Sequence, residues 1–315
     1  MRVFVAGGSG LIGRRLVERL VARGDQPVVL SRNATRARAQ LATSKADIVE
    51  GDPLQPASWM ERVAGCQGVV NLVGESLFAR RWNDAFKQVL RDSRVQSTKN
   101  IVDAITKARD RDRPYVLVNA SAIGYYGFTG DQYLTEDSPA GSGDFLSELC
   151  KEWEAAARQV EAKGVRLVLL RSGMVLDKTG GALKSMLLPF KLFAGGPVAG
   201  GRQWVSWIHH ADEVGLILLA LDRRDAKGPL NAVAPVPVTN AQLAKALGKV
   251  LWRPSFMPTP AFMLKALLGG VADVVAKGQR VMPKKAQELD YHFEFSDIHS
   301  ALKDIVAKPA AAAAS

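Results

Sequence analysis

Two rhythms of apolar residues alternate along the first half of this chain. Short, almost wholly apolar runs read as buried parallel strands, because a strand covered on both faces has no polar side to show. Longer stretches with apolar residues one helical turn apart read as amphipathic helices. Arg2 to Ala6 is the first run. It drops into glycines and leads to Leu11, Leu16, Val17, Leu20 and Val21, a helical face that ends at Gly24, where a C-terminal glycine belongs. Pro27 to Leu30, Ala46 to Val49, Gly68 to Leu72, Tyr115 to Asn119 and Val165 to Leu170 predict further strands. Helices are predicted over Asn83 to Ala108 and over Asp144 to Lys163; the second has an Asp cap and an apolar face of Phe145, Leu149, Trp153, Ala156 and Val160. Strands alternating with helices predict an α/β fold, a doubly wound parallel sheet with right-handed crossovers.

The rhythm changes after Arg171-Ser-Gly173. Gly180-Gly181, Gly195-Gly-Pro197 and Gly200-Gly201 surround an apolar stretch from Met186 to Phe193 and read as an excursion from the sheet. A helix from Ala211 to Leu221 brings the chain back. Prolines between residues 231 and 260 then separate a helix at Asn240 to Leu251 from a final helical segment after Ala261. The expected organisation is a nucleotide-binding domain of residues 1–172 and 206–234, a small cap or substrate lobe of residues 173–205 and 235–305, and a disordered alanine-rich tail at residues 306–315. The apolar stretch Ala261 to Ala276 contains Lys265 and Asp273 and is too short to span a bilayer.

Charge adds to this picture. The 315 residues carry 42 Lys and Arg against 31 acidic residues, a formal net charge of +11 that suits an anionic ligand such as a nucleotide phosphate. The basic residues are scattered without interleaved aromatics, which argues against specific nucleic-acid binding. Cys66 and Cys150 form no disulfide framework and read as small buried hydrophobes. The chain enters a strand at once with no charged leader, so the expectation is a cytoplasmic protein with no membrane partner, a small-molecule substrate that the sequence does not identify, and room for a protein partner.

The candidate chemistry begins in the first turn. Gly7, Gly10 and Gly13 have the spacing G-x-x-G-x-x-G between a strand and a helix. Gly7 permits the tight turn, Gly10 lets a pyrophosphate touch the backbone, and Gly13 lets the helix lie close to the strand. Ser9, Leu11 and Ile12 lie at the helix N-terminus, whose free N–H groups favour phosphate. Ser31-Arg32 ends the second strand, where an adenosine ribose is read. An Arg there, with Arg36 and Arg38 behind it, favours a 2′-phosphate and therefore NADP(H). Asp52 either accepts from the adenine amino group or starts a turn before Pro53. Asn71, Leu72, Val73, Gly74 and Glu75 leave the fourth strand, and Glu75 is an acid, a base or a turn cap. Ser121, Tyr125 and Tyr126 occupy a loop at a strand's carboxyl end, where open α/β sheets bind ligands. Arg202 is a candidate clamp for an anionic substrate group. His209 and His210 lack ligand spacing around them, so no metal is expected.

These motifs together resemble the extended short-chain dehydrogenase/reductase superfamily, the NAD-dependent epimerase/dehydratase group, and within it the atypical "epimerase family protein" branch. The resemblance rests on Gly7 to Gly13, Asn71 to Ser76, Arg80-Arg-Trp82, Ser93-Arg94, Ser121 to Gly127, Thr135 to Pro139, Gly143 to Ser147, Trp153-Glu154, Arg171-Ser-Gly173, Gly195-Gly-Pro197, Trp207-Ile-His209 and Asn231 to Pro235. It implies a Rossmann domain with a small C-terminal lobe, NADP(H) as cofactor, Arg32 and Arg94 as phosphate contacts, Asn71 to Gly74 beside the adenine-side ribose, and Arg171 and Ser121 in the cofactor set. It also implies a catalytic Ser or Thr and a Tyr-x-x-x-Lys, with the Tyr exchanging a proton while hydride moves. Here Lys151 is in register, Ser147 stands where the Tyr belongs, and the usual hydroxyl position is Ala122, with Ser121 one place earlier. Two functions are open. One is an NADP-dependent oxidoreductase or epimerase on a small carbonyl or sugar-type substrate, using Ser121, Tyr125 or Tyr126, and Lys151. The other is an NADPH-binding sensor or regulator with a degenerate catalytic set, in line with the branch's association with cell division.

Overall fold

A computed structural model describes residues 1–41, 45–259 and 269–306. The first half is β1 (Arg2–Ala6), α1 (Leu11–Ala22), β2 (Gln26–Ser31), α2 (Ala34–Gln40), β3 (Asp47–Glu50), β4 (Gly68–Asn71), α3 (Asp84–Lys107), β5 (Val116–Ala122), β6 (Tyr133–Leu134), α4 (Phe145–Arg158) and β7 (Arg166–Ser172). The second half is β8 (Met174–Leu176), α5 (Gly181–Lys191), β9 (Trp204–Val205), β10 (Trp207–His209), α6 (His210–Asp222), β11 (Gly228–Ala232), β12 (Val238–Thr239), α7 (Asn240–Leu251), α8 (Ala272–Ala276), β13 (Arg280–Val281), α9 (Lys284–Glu288) and α10 (Ile298–Val306). Residues 307–315 of the expected tail and residues 261–268 of the segment after Ala261 lie outside the described residues, while Val306 ends α10.

Seven strands form one parallel sheet in the order β11-β7-β5-β4-β1-β2-β3. Its strands are apolar on both faces because helices cover both. Val3, Val5, Val70, Val118 and Val168 face Leu16, Val17 and Leu20 of α1 and Leu216, Ile217 and Leu221 of α6. Phe4, Val69, Leu117 and Leu167 face Ile101 and Ile105 of α3, with Trp59 and Val160. The strand order runs outward in both directions from β1, so the carboxyl ends of β1 and β4 open a crevice where the topology switches.

A separate core gathers Leu176, Leu183, Leu187 and Phe190 with Trp207, Leu243, Leu247, Ala301, Leu302 and Ile305. Residues 284 to 293 depart from the sequence-based division. Ala286, Leu289, Tyr291 and Phe293 join the α1 and α6 side of the sheet rather than the small core, because the Asp212 carboxylate on α6 accepts hydrogen bonds from the Glu294 and Phe295 amides and the Tyr291 hydroxyl.

Candidate functional site

The crevice is a cleft of about 360 Å³, lined by Gly7, Ser9, Gly10, Ser31, Arg32, Asp52, Leu72, Val73, Gly74 and Glu75, and by Asn33, Arg36, Gln40 and Ser93. The glycine turn is built by close approach. Gly7 has φ +81°, and a Cβ on it would lie 2.8 Å from the Leu72 carbonyl carbon. A Cβ on Gly13 would meet the Gly7 oxygen at 2.2 Å. Gly13 therefore shapes the turn from behind; it does not line the cleft, and neither do Leu11 and Ile12. The α1 amides open onto the same turn, the arrangement that binds phosphate.

At the other end of the cleft Asn33 caps α2 by accepting from the Arg36 amide at 2.8 Å, which starts the helix so that Arg36 follows Arg32 by one turn. Both arginines are exposed, and neither forms an ion pair among the described residues. Arg36, read from the sequence only as support for Arg32, lines the cleft itself. Asp52 does have its turn role, accepting from the Leu54 amide at 3.0 Å, and it also borders the cleft.

Three residues of the expected cofactor set act from beneath. Asn71 is fully buried; its amide donates to Thr98 Oγ1 and Asn119 Oδ1, and its oxygen accepts from the Val73 amide at 3.1 Å. It sets the loop's shape. Arg94 donates to the Glu75 carbonyl at 2.9 Å and lies under Gly74, with burial drawing its pKa down. It braces the loop and does not line the cleft. Arg171 is 1% exposed and fully engaged by protein partners, so its expected cofactor contact is replaced by a structural one.

Those partners also consume the expected catalytic hydroxyls. β5 runs to Ala122, two residues beyond Ala120, and side chains alternate across a strand. Ser121 therefore shares a face with Asn119 and points toward α4, where its hydroxyl donates to Glu154 Oε1 at 2.8 Å. Arg171 donates to both oxygens of Glu154 at 2.8 Å and to the Tyr126 hydroxyl at 3.0 Å. Tyr126 in turn donates to Asn231 Oδ1 at 2.7 Å, and burial pushes its phenol up to about 12, the wrong direction for proton exchange at neutral pH. Ser147 is buried at the start of α4 and donates to the Asp144 carbonyl. Lys151 pairs with Glu148 at 2.6 Å on the same helix. Tyr125 differs: its half-buried ring lies 3.5 Å from the Arg171 guanidinium carbon, and its hydroxyl has no hydrogen-bond partner among the described residues. Glu154, which organises this network, stood in the sequence only within the Trp153-Glu154 pair of the family resemblance, with no role assigned to it.

Arg202 is exposed and does not line the cleft. His209, His210 and Asp304 bring ligand-type atoms within 4.8 Å of one another. The Ala211 amide donates to His209 Nδ1 at 3.1 Å, so the neutral ring carries its proton on Nε2, toward Asp304 Oδ2 at 3.2 Å. That tautomer presents no lone pair for a cation. Burial, and then His210, push the His209 pKa down to about 4.

Residues 7–198 match the family model described as NAD(P)H-binding, and residues 259–305 match one described as Domain of unknown function (DUF1731). The chain is 43% identical to Epimerase family protein SDR39U1 homolog, chloroplastic, of Arabidopsis thaliana, over 97% of this chain and 87% of that protein. It is 36% identical to Epimerase family protein YfhF of Bacillus subtilis, over 98% of each. The chain belongs to the epimerase family of NAD(P)H-binding proteins. Within that family, the crystal structure of human epimerase family protein SDR39U1 with NADPH superposes with a TM-score of 0.87 at 36% identity, covering 97% of this chain and 99% of that one. UDP-glucuronic acid 4-epimerase from Bacillus cereus, solved with NAD, shares the fold at 14% identity and a TM-score of 0.77. The epimerase family thus accounts for the seven-stranded Rossmann sheet, the glycine turn and the cleft beside it.

Proposed function

We propose that this protein binds NADP(H) in the β1–β4 cleft and acts as a cofactor-occupancy sensor, with little or no carbonyl turnover. The observation that carries this reading is the engagement of the hydroxyls expected to move a proton: Ser121 on Glu154, Tyr126 on Asn231 and Ser147 on the Asp144 carbonyl. NADP(H) rather than NAD(H) is favoured by Arg32 and Arg36 at the ribose end, and by the NADPH in the human relative. One contact between the two parts supports the sensor reading. Arg15, on the helix that opens at the glycine turn, pairs at 2.6 Å with the buried Asp177 at the root of the small lobe. The cytoplasm is the compartment we assign, in keeping with two free, buried cysteines.

A second reading, an NADP-dependent oxidoreductase, is favoured by Tyr125, whose unengaged phenol stacks on a buried cation. The test loads purified protein with NADPH, adds fractionated metabolite extract, and follows nicotinamide absorbance beside Lys151→Ala and Tyr125→Phe. The sensor reading expects tight binding and no consumption, with Lys151→Ala weakening binding at most. Consumption that tracks one fraction and vanishes in Tyr125→Phe would replace it with the second reading.

A further inference from the structure

The small lobe carries an exposed apolar face that its own core does not use. Leu188 on α5 and Leu192 at its C-terminal cap are 61% and 67% exposed, and Phe193 follows at 57%. Trp252, in the left-handed conformation that ends α7, is 88% exposed; Phe256 is 76% and Met257 47% exposed. These residues form one surface. The Arg253 guanidinium lies 4.5 Å from the Phe193 ring centre, and the Met257 amide donates to the Gly195 carbonyl at 3.2 Å. A single exposed aromatic residue is ordinary, but a contiguous group of this size marks a contact surface.

The charge around this face says what it contacts. No Asp or Glu occurs between Asp177 and Asp212, nor between Asp225 and Asp273. Both α5 and α7, the two helices beneath the face, fall inside those acid-free stretches. Lys184, Lys191, Lys245 and Lys249 are exposed, and none of their ammonium groups forms an ion pair among the described residues. Lys184, Leu188 and Lys191 follow one stripe of α5 by helical spacing; Lys245 and Lys249 lead along α7 to Trp252. The acids of the lobe's third helix are engaged elsewhere: Asp304 faces His209, and Asp297 accepts from the Ser300 amide at the start of α10.

We propose that this face docks the protein reversibly on an anionic lipid surface. Trp and Phe side chains favour the headgroup level of a bilayer, and lysines beside them are attracted by acidic lipids. A second copy of the chain fits less well, because self-association would set the same uncompensated lysines against each other. No described helix is long and apolar enough to cross a membrane, so the contact is peripheral. The proposal is independent of whether the cleft turns over a substrate.

Co-sedimentation of the full NADPH-bound chain with vesicles tests it, using phosphatidylcholine alone and phosphatidylcholine mixed with phosphatidylserine. Binding is expected only to the mixed vesicles, to weaken with salt, and to fall about fivefold for each of Lys191→Gln and Lys249→Gln. The double variant Trp252→Ser/Phe256→Ser is expected to lose binding while its NADPH affinity is unchanged, which shows that it is folded. Equal sedimentation with both vesicle types, no sedimentation with either, or no effect of the double variant would overturn the proposal. So would a wild-type dimer that the double variant dissolves, which would assign the face to a second copy. Protection of Trp252 from a soluble quencher in the free protein would also overturn it, since the chain itself would then cover the face.

Discussion

Replacing Glu154 by Gln isolates one buried charge with almost no change in shape. Glu154 and Arg171 are 3% and 1% exposed, and the carboxylate accepts two hydrogen bonds from the guanidinium and one from Ser121. The amide keeps one acceptor and turns an NH2 toward an N–H donor. Arg171 cannot shed its proton; its close bonds to Glu154 hold its pKa above the ordinary arginine value even against burial. The variant thus leaves a charge in the interior with one amide oxygen, the Tyr126 oxygen and two aromatic rings to receive it. Breaking a buried pair in this way costs about 3–5 kcal/mol, and the remaining partners place Glu154→Gln at the lower end. About 3 kcal/mol changes the folding equilibrium by roughly a hundredfold. In urea, with a slope of about 3 kcal/mol per molar, the midpoint of the transition that unfolds the sheet falls by about 1 M. The double variant Glu154→Met/Arg171→Met removes both charges and fills similar space. It leaves Ser121 without its acceptor, a cost of about 1 kcal/mol, while Tyr126 keeps Asn231. It should therefore be more stable than Glu154→Gln alone. A midpoint for Glu154→Gln within about 0.2 M of wild type, or a double variant less stable than the single one, would refute the reasoning.

Three further outcomes follow from the same geometry. Burial raises the Glu213 carboxyl to about 7 against an ordinary value of 4.5, so at this group the folded protein binds more protons than the unfolded chain between those values; its contribution to stability falls as pH rises through that window, by a few kcal/mol, and is level above it. Glu213→Gln should remove that contribution, so its stability difference from wild type changes with pH in thermal unfolding measured across pH 4 to 8, and a difference that stays constant with pH would sink the assignment. Arg32→Ala/Arg36→Ala should weaken NADPH about 10- to 100-fold while leaving NADH within a few-fold, read by fluorescence titration; equal losses for both would mean that neither arginine reads the 2′-phosphate. Gly13→Val should eliminate nucleotide binding, since even a Cβ there would lie 2.2 Å from the Gly7 oxygen, and retained NADPH affinity would count against the closeness of that turn.

Much of the sheet was legible because its strands are covered on both faces and therefore apolar throughout; β1 has its predicted limits, and β2, β4 and β7 differ from theirs by a residue or two at an end. β11 was not, because Gly228-Pro229-Leu230-Asn231 has neither an apolar run nor alternation; it is an edge strand, where proline is tolerated. The cleft residues came through the glycine spacing and the position of Arg32. The direction of Ser121 did not, because the predicted strand stopped at Asn119, while β5 continues to Ala122 and alternation turns Ser121 toward Glu154. Arg94 and Arg171 were read as ligand contacts from the family resemblance; only the fold shows that their hydrogen bonds go to a carbonyl and a buried carboxylate. The acid-free stretches were in plain view, but a test for spanning segments looks for length and hydropathy and passes over a basic rim.

The late arrival of Ala286 to Phe293 at the sheet bears on how the chain is made. A nascent chain that has reached Ser172 holds six of the seven strands, yet β11 is still to come. The cover that Ala286, Leu289, Tyr291 and Phe293 give to the α1 and α6 side comes later still. Until then Asp212 lacks the three donors that satisfy it and an apolar patch stays open to water. Domains usually close in order during synthesis. This one holds its first face unfinished through most of translation, which makes truncation anywhere before Phe293 a fault in the nucleotide-binding half and not merely in the lobe that was lost.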